Sequence, residues 1–173
     1  MKKQILKVPD NLLRQKSEEV VSFDKNLSQM VADLTETLIS QTDPVGLGLS
    51  AVQIGVLKRV FVARIRNRIR HFVNPKILKF SKKEITFLEG CFSVPEFYGH
   101  VIRPAEIDLE AQGKHGKKTQ GHYSGLPSRI IQHEIDHLDG VLFTDHVHAQ
   151  NGKIFKIEKD KKGQEQLVEV AFV

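Results

Sequence analysis

A chain of 173 residues can bury a sizeable core, and 40% hydrophobic with 27% charged residues is the balance of an ordinary globular protein. No stretch approaches the roughly 20 apolar residues that cross a bilayer, and the opening MKKQILKVPDNLL lacks the apolar core of a secretory signal, so neither a membrane span nor export is expected. The single cysteine excludes an internal disulfide and suits a reducing compartment, which makes the cytoplasm the expected location.

In chain order, the first clear element is KNLSQMVADLTETLISQ, residues 25–41. Leu27, Met30, Val31, Leu34 and Leu38 recur there at helical spacing, and Asp24 is placed to cap the start. Pro44, Gly46 and Gly48 then force an irregular backbone. Val60, Val62 and Ile65, followed by Ile69 and Phe72, predict two short strands with Asn67 near a tight turn and Asn74-Pro75 ending the second. Short β-like runs follow at 76–80, 84–88 and 106–111, and the polar, glycine-rich 113–125 reads as a loop or hairpin. LPSRIIQHEIDHLDG predicts a second helix, with Pro127 in its first turn and Gly140 as its stop. Ile130, Ile131, Ile135 and Leu138 surround its histidines, so it should be buried. The tail predicts a β-hairpin around Lys162-Gly163. No linker separates these segments. The expectation is one α+β domain over 1–173, with short antiparallel strands and hairpins around a buried, metal-binding helix, plus an N-terminal helix.

The net charge of +5 is uneven. From Lys58 to Lys83 there are ten Lys and Arg and no Asp or Glu. Such a block suits contact with a polyanion such as RNA, or else a solvated strand pair.

The chemistry concentrates in QHEIDHLDG. His133 and His137 are four residues apart, so on a helix both imidazoles lie on one face and can bind one metal ion. Glu134 starts one residue further round, within reach of a metal-bound water without being a ligand. Two histidines on an apolar face need partners, and a metal supplies them. The candidate third ligand is Cys91 in LEGCFSVPE, for which a buried structural thiol is the alternative. Gly90 permits a close approach of the backbone. A Cys/His/His set leaves a fourth position for water. The expected reaction is attack of that metal-bound water on a carbonyl, with Glu134 as general acid/base. Gln53 and the backbone N–H of Phe92 are candidate oxyanion donors.

Together, GLGLSAVQ (46–53), EGCFS (89–93) and HEIDH (133–137) resemble the peptide deformylase family in content, order and separation. The resemblance implies removal of the formyl group from N-terminal formyl-methionine of newly made chains. It implies ferrous iron as the native metal, with zinc or nickel able to replace it. By motif position it makes Cys91, His133 and His137 the ligands and Glu134 the acid/base, with Gln53 and the Phe92 amide on the oxyanion. Leu47 and Gly48 would lie along the substrate backbone, and Ile130 would help line the methionine pocket. Asp136 does not share the metal-facing stripe, and the basic residue of the family pattern falls on Arg103, so an Arg103–Asp136 ion pair anchoring the helix is expected. Ser50 stands where the family usually has alanine, and Phe92 where leucine is usual. The tail does not resemble the basic C-terminal helix of many bacterial members, which leaves the 58–83 block as the candidate ribosome contact, through Arg64, Arg66, Arg68 and Arg70.

Two other readings compete. One is a metallopeptidase cutting internal bonds with the same helix, which the thiolate and flanking motifs oppose. The other is a basic RNA- or ribosome-binding module whose metal is structural, which would need a fourth ligand such as His146 or His148.

Overall fold

The computed structural model describes residues 1–159 and 163–171. Helix α1, Lys25–Ile39, starts where expected because the Asp24 carboxylate accepts the N–H groups of Asn26 and Leu27 at 2.8 and 3.1 Å. Its apolar stripe of Leu27, Val31, Leu34 and Leu38 packs on Leu49, Val60, Val62 and Val73. Each such buried side chain contributes about 1.5–3 kcal/mol.

Among the described residues the strands form two antiparallel sheets. The first has five strands: β1 (Gly48–Ser50), β2 (Val60–Ile65), β3 (Arg68–Phe80), β6 (Glu106–Gln112) and β7 (Lys118–Ser124), in the order β1-β2-β3-β6-β7. The second has four: β4 (Glu84–Cys91), β5 (Val94–Pro104), β8 (Ile154–Lys159) and β9 (Glu165–Val170), in the order β4-β5-β8-β9. The chain leaves the first sheet after β3, makes the β4–β5 hairpin, and returns as β6 to pair beside β3. Helix α2, Leu126–Leu138, packs against β1, β2 and β7. Its Ile130, Ile131 and Leu138 join Phe61, Phe72, Ile107 and Leu109 in one cluster. Helix α3, Phe143–Ala149, covers the second sheet through Phe143 and Val147, which pack with Val94, Val101 and Ile154.

The α+β expectation holds, with differences in detail. Asn74-Pro75 does not end a strand: β3 runs through it for 13 residues. The register shifts between Val73 and Lys76, and Asn74 takes a positive φ of 48°. A bulge is where a strand tolerates a proline, since the missing N–H falls outside the ladder. The Asn74 side chain secures it by accepting from the Val20 N–H and donating to the Val20 carbonyl. The predicted run at 76–80 is therefore the far half of β3. Strand β5 is eleven residues long, and α3 falls on a segment given no element. The tail strands pair as a hairpin with Gly163 at φ 77°, while Lys162 lies outside the described residues.

This topology brings three ends together. β1 and a short 3-10 helix, Ala51–Ile54, lie on one side of α2, and the end of β4 delivers Cys91 toward its middle.

Candidate metal centre

His133 and His137 lie four residues apart on α2, their ring centroids 4.9 Å apart and planes at 80°. The His137 Nε2 lies 3.2 Å from the Cys91 Sγ, and one ligand atom from each of Cys91, His133 and His137 falls within 4.8 Å of the others. Ligand atoms bonded at about 2.0–2.3 Å to a tetrahedral ion sit roughly 3.3–3.7 Å apart. The cluster is therefore the right size for a first-row metal, and thiolate plus two imidazoles is the right donor chemistry. Among the described residues no fourth Cys, His, Asp or Glu joins the group. His146 is committed elsewhere, to Asp136 at 2.8 Å, so it does not close the site.

Electrostatics favour the ligand form of the cysteine. Burial pushes the Cys91 thiol up, but the neighbouring His137 and His133 outweigh it and hold the thiol well below its ordinary range. Burial pulls His133 down, but hydrogen bonds and charge from Cys91 and Glu89 raise it well above the usual imidazole value.

Glu89 organises the layer behind the ligands. One carboxylate oxygen accepts from His133 Nδ1 at 3.0 Å and from Arg103 Nη2 at 3.0 Å; the other accepts from Arg103 Nε at 2.7 Å and Arg129 Nη1 at 2.9 Å. With Nδ1 taken, His133 presents Nε2 to the centre, the usual arrangement of a metal-bound histidine. The Arg103–Asp136 pair is present at 2.6 Å, as one arm of this larger network. Arg129 ties it to the second sheet through the carbonyls of Val101 and Ile85. Glu89 and Arg129 went unrecognised in the sequence. The available signals were the period of β4, which carries Glu89 to the face of Cys91, and Arg129 one turn before His133 on α2. Gly90 serves a purpose other than approach to a ligand. A Cβ there would sit 2.7 Å from the Tyr98 ring of the paired strand.

Glu134 is buried beside the histidines, and burial holds its carboxyl above the ordinary range against the lowering effect of His133, His137 and Ser50. The Gln53 Nε2 lies 3.5 Å from Cys91 Sγ and 3.1 Å from Ser93 Oγ, while its Oε1 accepts the Ser50 N–H at 2.8 Å. A cavity of about 640 Å³ opens over these groups. Leu47, Gly48, Phe92 and Ile130 line it, and the half-exposed apolar side chains of Val45, Phe87 and Leu126 rim it. Every site residue expected from the sequence except the Arg103–Asp136 pair thus borders this cavity or the ligand cluster, and that pair stands behind it.

The family model for polypeptide deformylase matches residues 2–153. The chain belongs to the peptide deformylase family. Family members are metal-dependent hydrolases that remove the N-terminal formyl group from nascent peptides. The chain is 40% identical over 167 residues to the peptide deformylase of Phenylobacterium zucineum, covering 92% of this chain and 97% of that one. It is 39% identical over 150 residues to that of Agrobacterium fabrum, covering 84% and 86%. The solved peptide deformylase of Thermotoga maritima superposes with a TM-score of 0.80 at 33% identity, over 84% of this chain and 97% of that one. For the Legionella pneumophila enzyme the score is 0.79 at 36% identity, over 84% and 86%. The family match ends at residue 153, just before β8 begins at Ile154.

Proposed function

We propose that this deformylase acts on the N-terminal formyl-methionine of newly made chains, with Cys91, His133 and His137 holding a ferrous ion that zinc or nickel can replace. The observation that supports this most is the compact Cys/His/His cluster opening onto a cavity with Glu134 at its wall. A divalent ion on those ligands supplies a Lewis acid and makes water a nucleophile near neutral pH.

The rest falls to the chain's own groups. Glu134 takes a proton from the attacking water and delivers it to the departing amine as the formyl C–N bond breaks, releasing formate and a free N-terminus. The Gln53 amide and the Phe92 N–H are the donors proposed for the oxyanion. Leu47 and Gly48 run along the peptide backbone, and Ile130 contributes to the apolar methionine pocket. The direct test is deformylation of formyl-Met-Ala-Ser, assayed without oxygen on iron-loaded protein. Turnover there, with none on the unformylated peptide, is the expected result. Cleavage of internal peptide bonds instead would mark a metallopeptidase.

No helix among the described residues is long and apolar enough to cross a membrane. The lone cysteine supports a cytoplasmic placement, where the substrate is made. The basic block lies on the β2–β3 hairpin, with Arg66, Arg68 and Arg70 exposed around its turn. Arg64 is partly withdrawn, its Nε donating to the Gly46 carbonyl. Reversing the three exposed arginines to glutamate should abolish salt-sensitive co-sedimentation with ribosomes while leaving turnover of free formyl peptides unchanged. Undiminished co-sedimentation would move the ribosome contact elsewhere.

A further inference from the structure

Ser50 ends β1 facing α2, and it is fully buried. Its Oγ lies 2.6 Å from Glu134 Oε2 and 2.9 Å from the Glu134 carbonyl oxygen. One hydroxyl has one proton, so it serves one acceptor. The carbonyl belongs to the ladder of α2, where a helical carbonyl accepts from the N–H four residues on. The shorter contact has the length of a hydrogen bond to a carboxylate. The proton therefore goes to Oε2, and among the described residues the Glu134 carboxylate has no other hydrogen bond. The second oxygen is placed differently. A Cβ on Gly48 would lie 2.2 Å from Glu134 Oε1, so Oε1 fills the space that the glycine leaves open at the cavity wall. The two oxygens are inequivalent: one is clamped from behind, and the other borders the cavity.

The same residue also reaches Gln53, since the Ser50 N–H donates to Gln53 Oε1 at 2.8 Å. With Oε1 occupied, the amide nitrogen is the end left to face Cys91. The alanine usual in the family at this position could make the backbone bond to the glutamine but offers no hydroxyl to the glutamate.

We infer that Ser50 is a positioning residue whose hydroxyl fixes the Glu134 carboxylate so that Oε1 exchanges the proton with water and the leaving amine. This rests on the deformylase reading above. The serine keeps its own proton throughout.

The test is Ser50→Ala on metal-reconstituted protein, alone and in a Glu134→Asp background, where the shorter side chain no longer reaches the hydroxyl. A hydrogen bond to a charged group is worth enough that its loss should lower kcat about tenfold. KM and metal content should stay unchanged. In the aspartate background the same substitution should leave kcat unchanged. Crystal structures of the wild type and Ser50→Ala, each without metal, supply a readout free of turnover: one Glu134 conformer in the first, a rotated or divided carboxylate in the second. Equal losses in both backgrounds, loss of metal together with rate, or an unmoved carboxylate with unchanged kcat would each overturn the inference. A wild type inactive on formyl peptides whose carboxylate still moves in Ser50→Ala would sink the deformylase reading and leave the positioning role standing.

Discussion

Glu89→Gln should destabilise the folded chain by about 3–5 kcal/mol, the range for removing one partner from a buried ion pair. It should also weaken metal retention about 10- to 100-fold, as expected for loss of a group that orients a ligand histidine. The amide fills the same volume, so the change removes the charge and turns one accepting oxygen into a donor without opening a cavity. Arg103 and Arg129 are both buried, and Glu89 is the carboxylate they share; Arg103 keeps Asp136, whereas Arg129 keeps only carbonyl oxygens among the described residues. Chemical denaturation measures the first effect, and metal content after dialysis the second.

The pH dependence has a definite sign. Burial opposes ionisation of Glu89, but hydrogen bonds and charge from His133 and Arg103 prevail and hold its carboxyl well below the usual carboxylate range. A carboxylate depressed on folding contributes stability above its unfolded pKa and loses that contribution as pH falls toward its folded one. Stability of the wild type should therefore fall as the pH drops below about 4.5, and Glu89→Gln should flatten that decline. A variant as stable as the wild type at neutral pH, with the same acid limb, would show that the network adds nothing net.

How legible this site was depends on how each residue reaches it. His133, Glu134 and His137 sit on one helix, so a local period of 3.6 residues states their geometry directly. Cys91 could be singled out because a three-ligand site lacked a member and the chain has one cysteine. Glu89 and Ser50 are different. Each matters through a partner far along the chain, His133 and Glu134 respectively, and their contacts exist only once β4 and β1 are folded against α2. The Arg103–Asp136 pair was foreseen from motif positions, yet the carboxylate that gathers both arginines was not, because a glutamate in an amphipathic strand reads as a solvated residue.

The fold shows the same division. α1 carries a capping Asp24 and an apolar stripe, α2 a stripe, a first-turn proline and a stop glycine, and both fall close to where the sequence sets them. β5 contains Pro95 and Gly99, which locally read as breakers. The strand forms because β4 lies alongside to pair with it, and Gly99 is needed because Val147 of α3 presses on that point. α3, at seven residues, is too short for a helical period to declare itself.

Glu134→Ala carries the largest expected effect on turnover. A side chain acting as general base and then general acid is worth about 10²- to 10⁴-fold in rate, and kcat should fall by that much. Metal content should not change, because Glu134 is outside the ligand group and the Glu89 layer behind His133 is untouched. Stability should hold or rise, since burial already disfavours this carboxylate and its one clamp is a serine hydroxyl. The pattern is the mirror of Glu89→Gln, where metal and stability are lost and turnover follows only because the ion leaves. Measuring kcat, bound metal and unfolding for both variants therefore separates the residue that handles the proton from the one that holds the ligands. If Glu134→Ala lost its metal as well, the glutamate would be a ligand and the proton carrier would lie elsewhere. If it kept its rate, attack on the formyl carbon would not need a protein base at this position. The geometry argues against both outcomes, because Oε1 stands at the cavity wall against Gly48, with its partner oxygen held from behind.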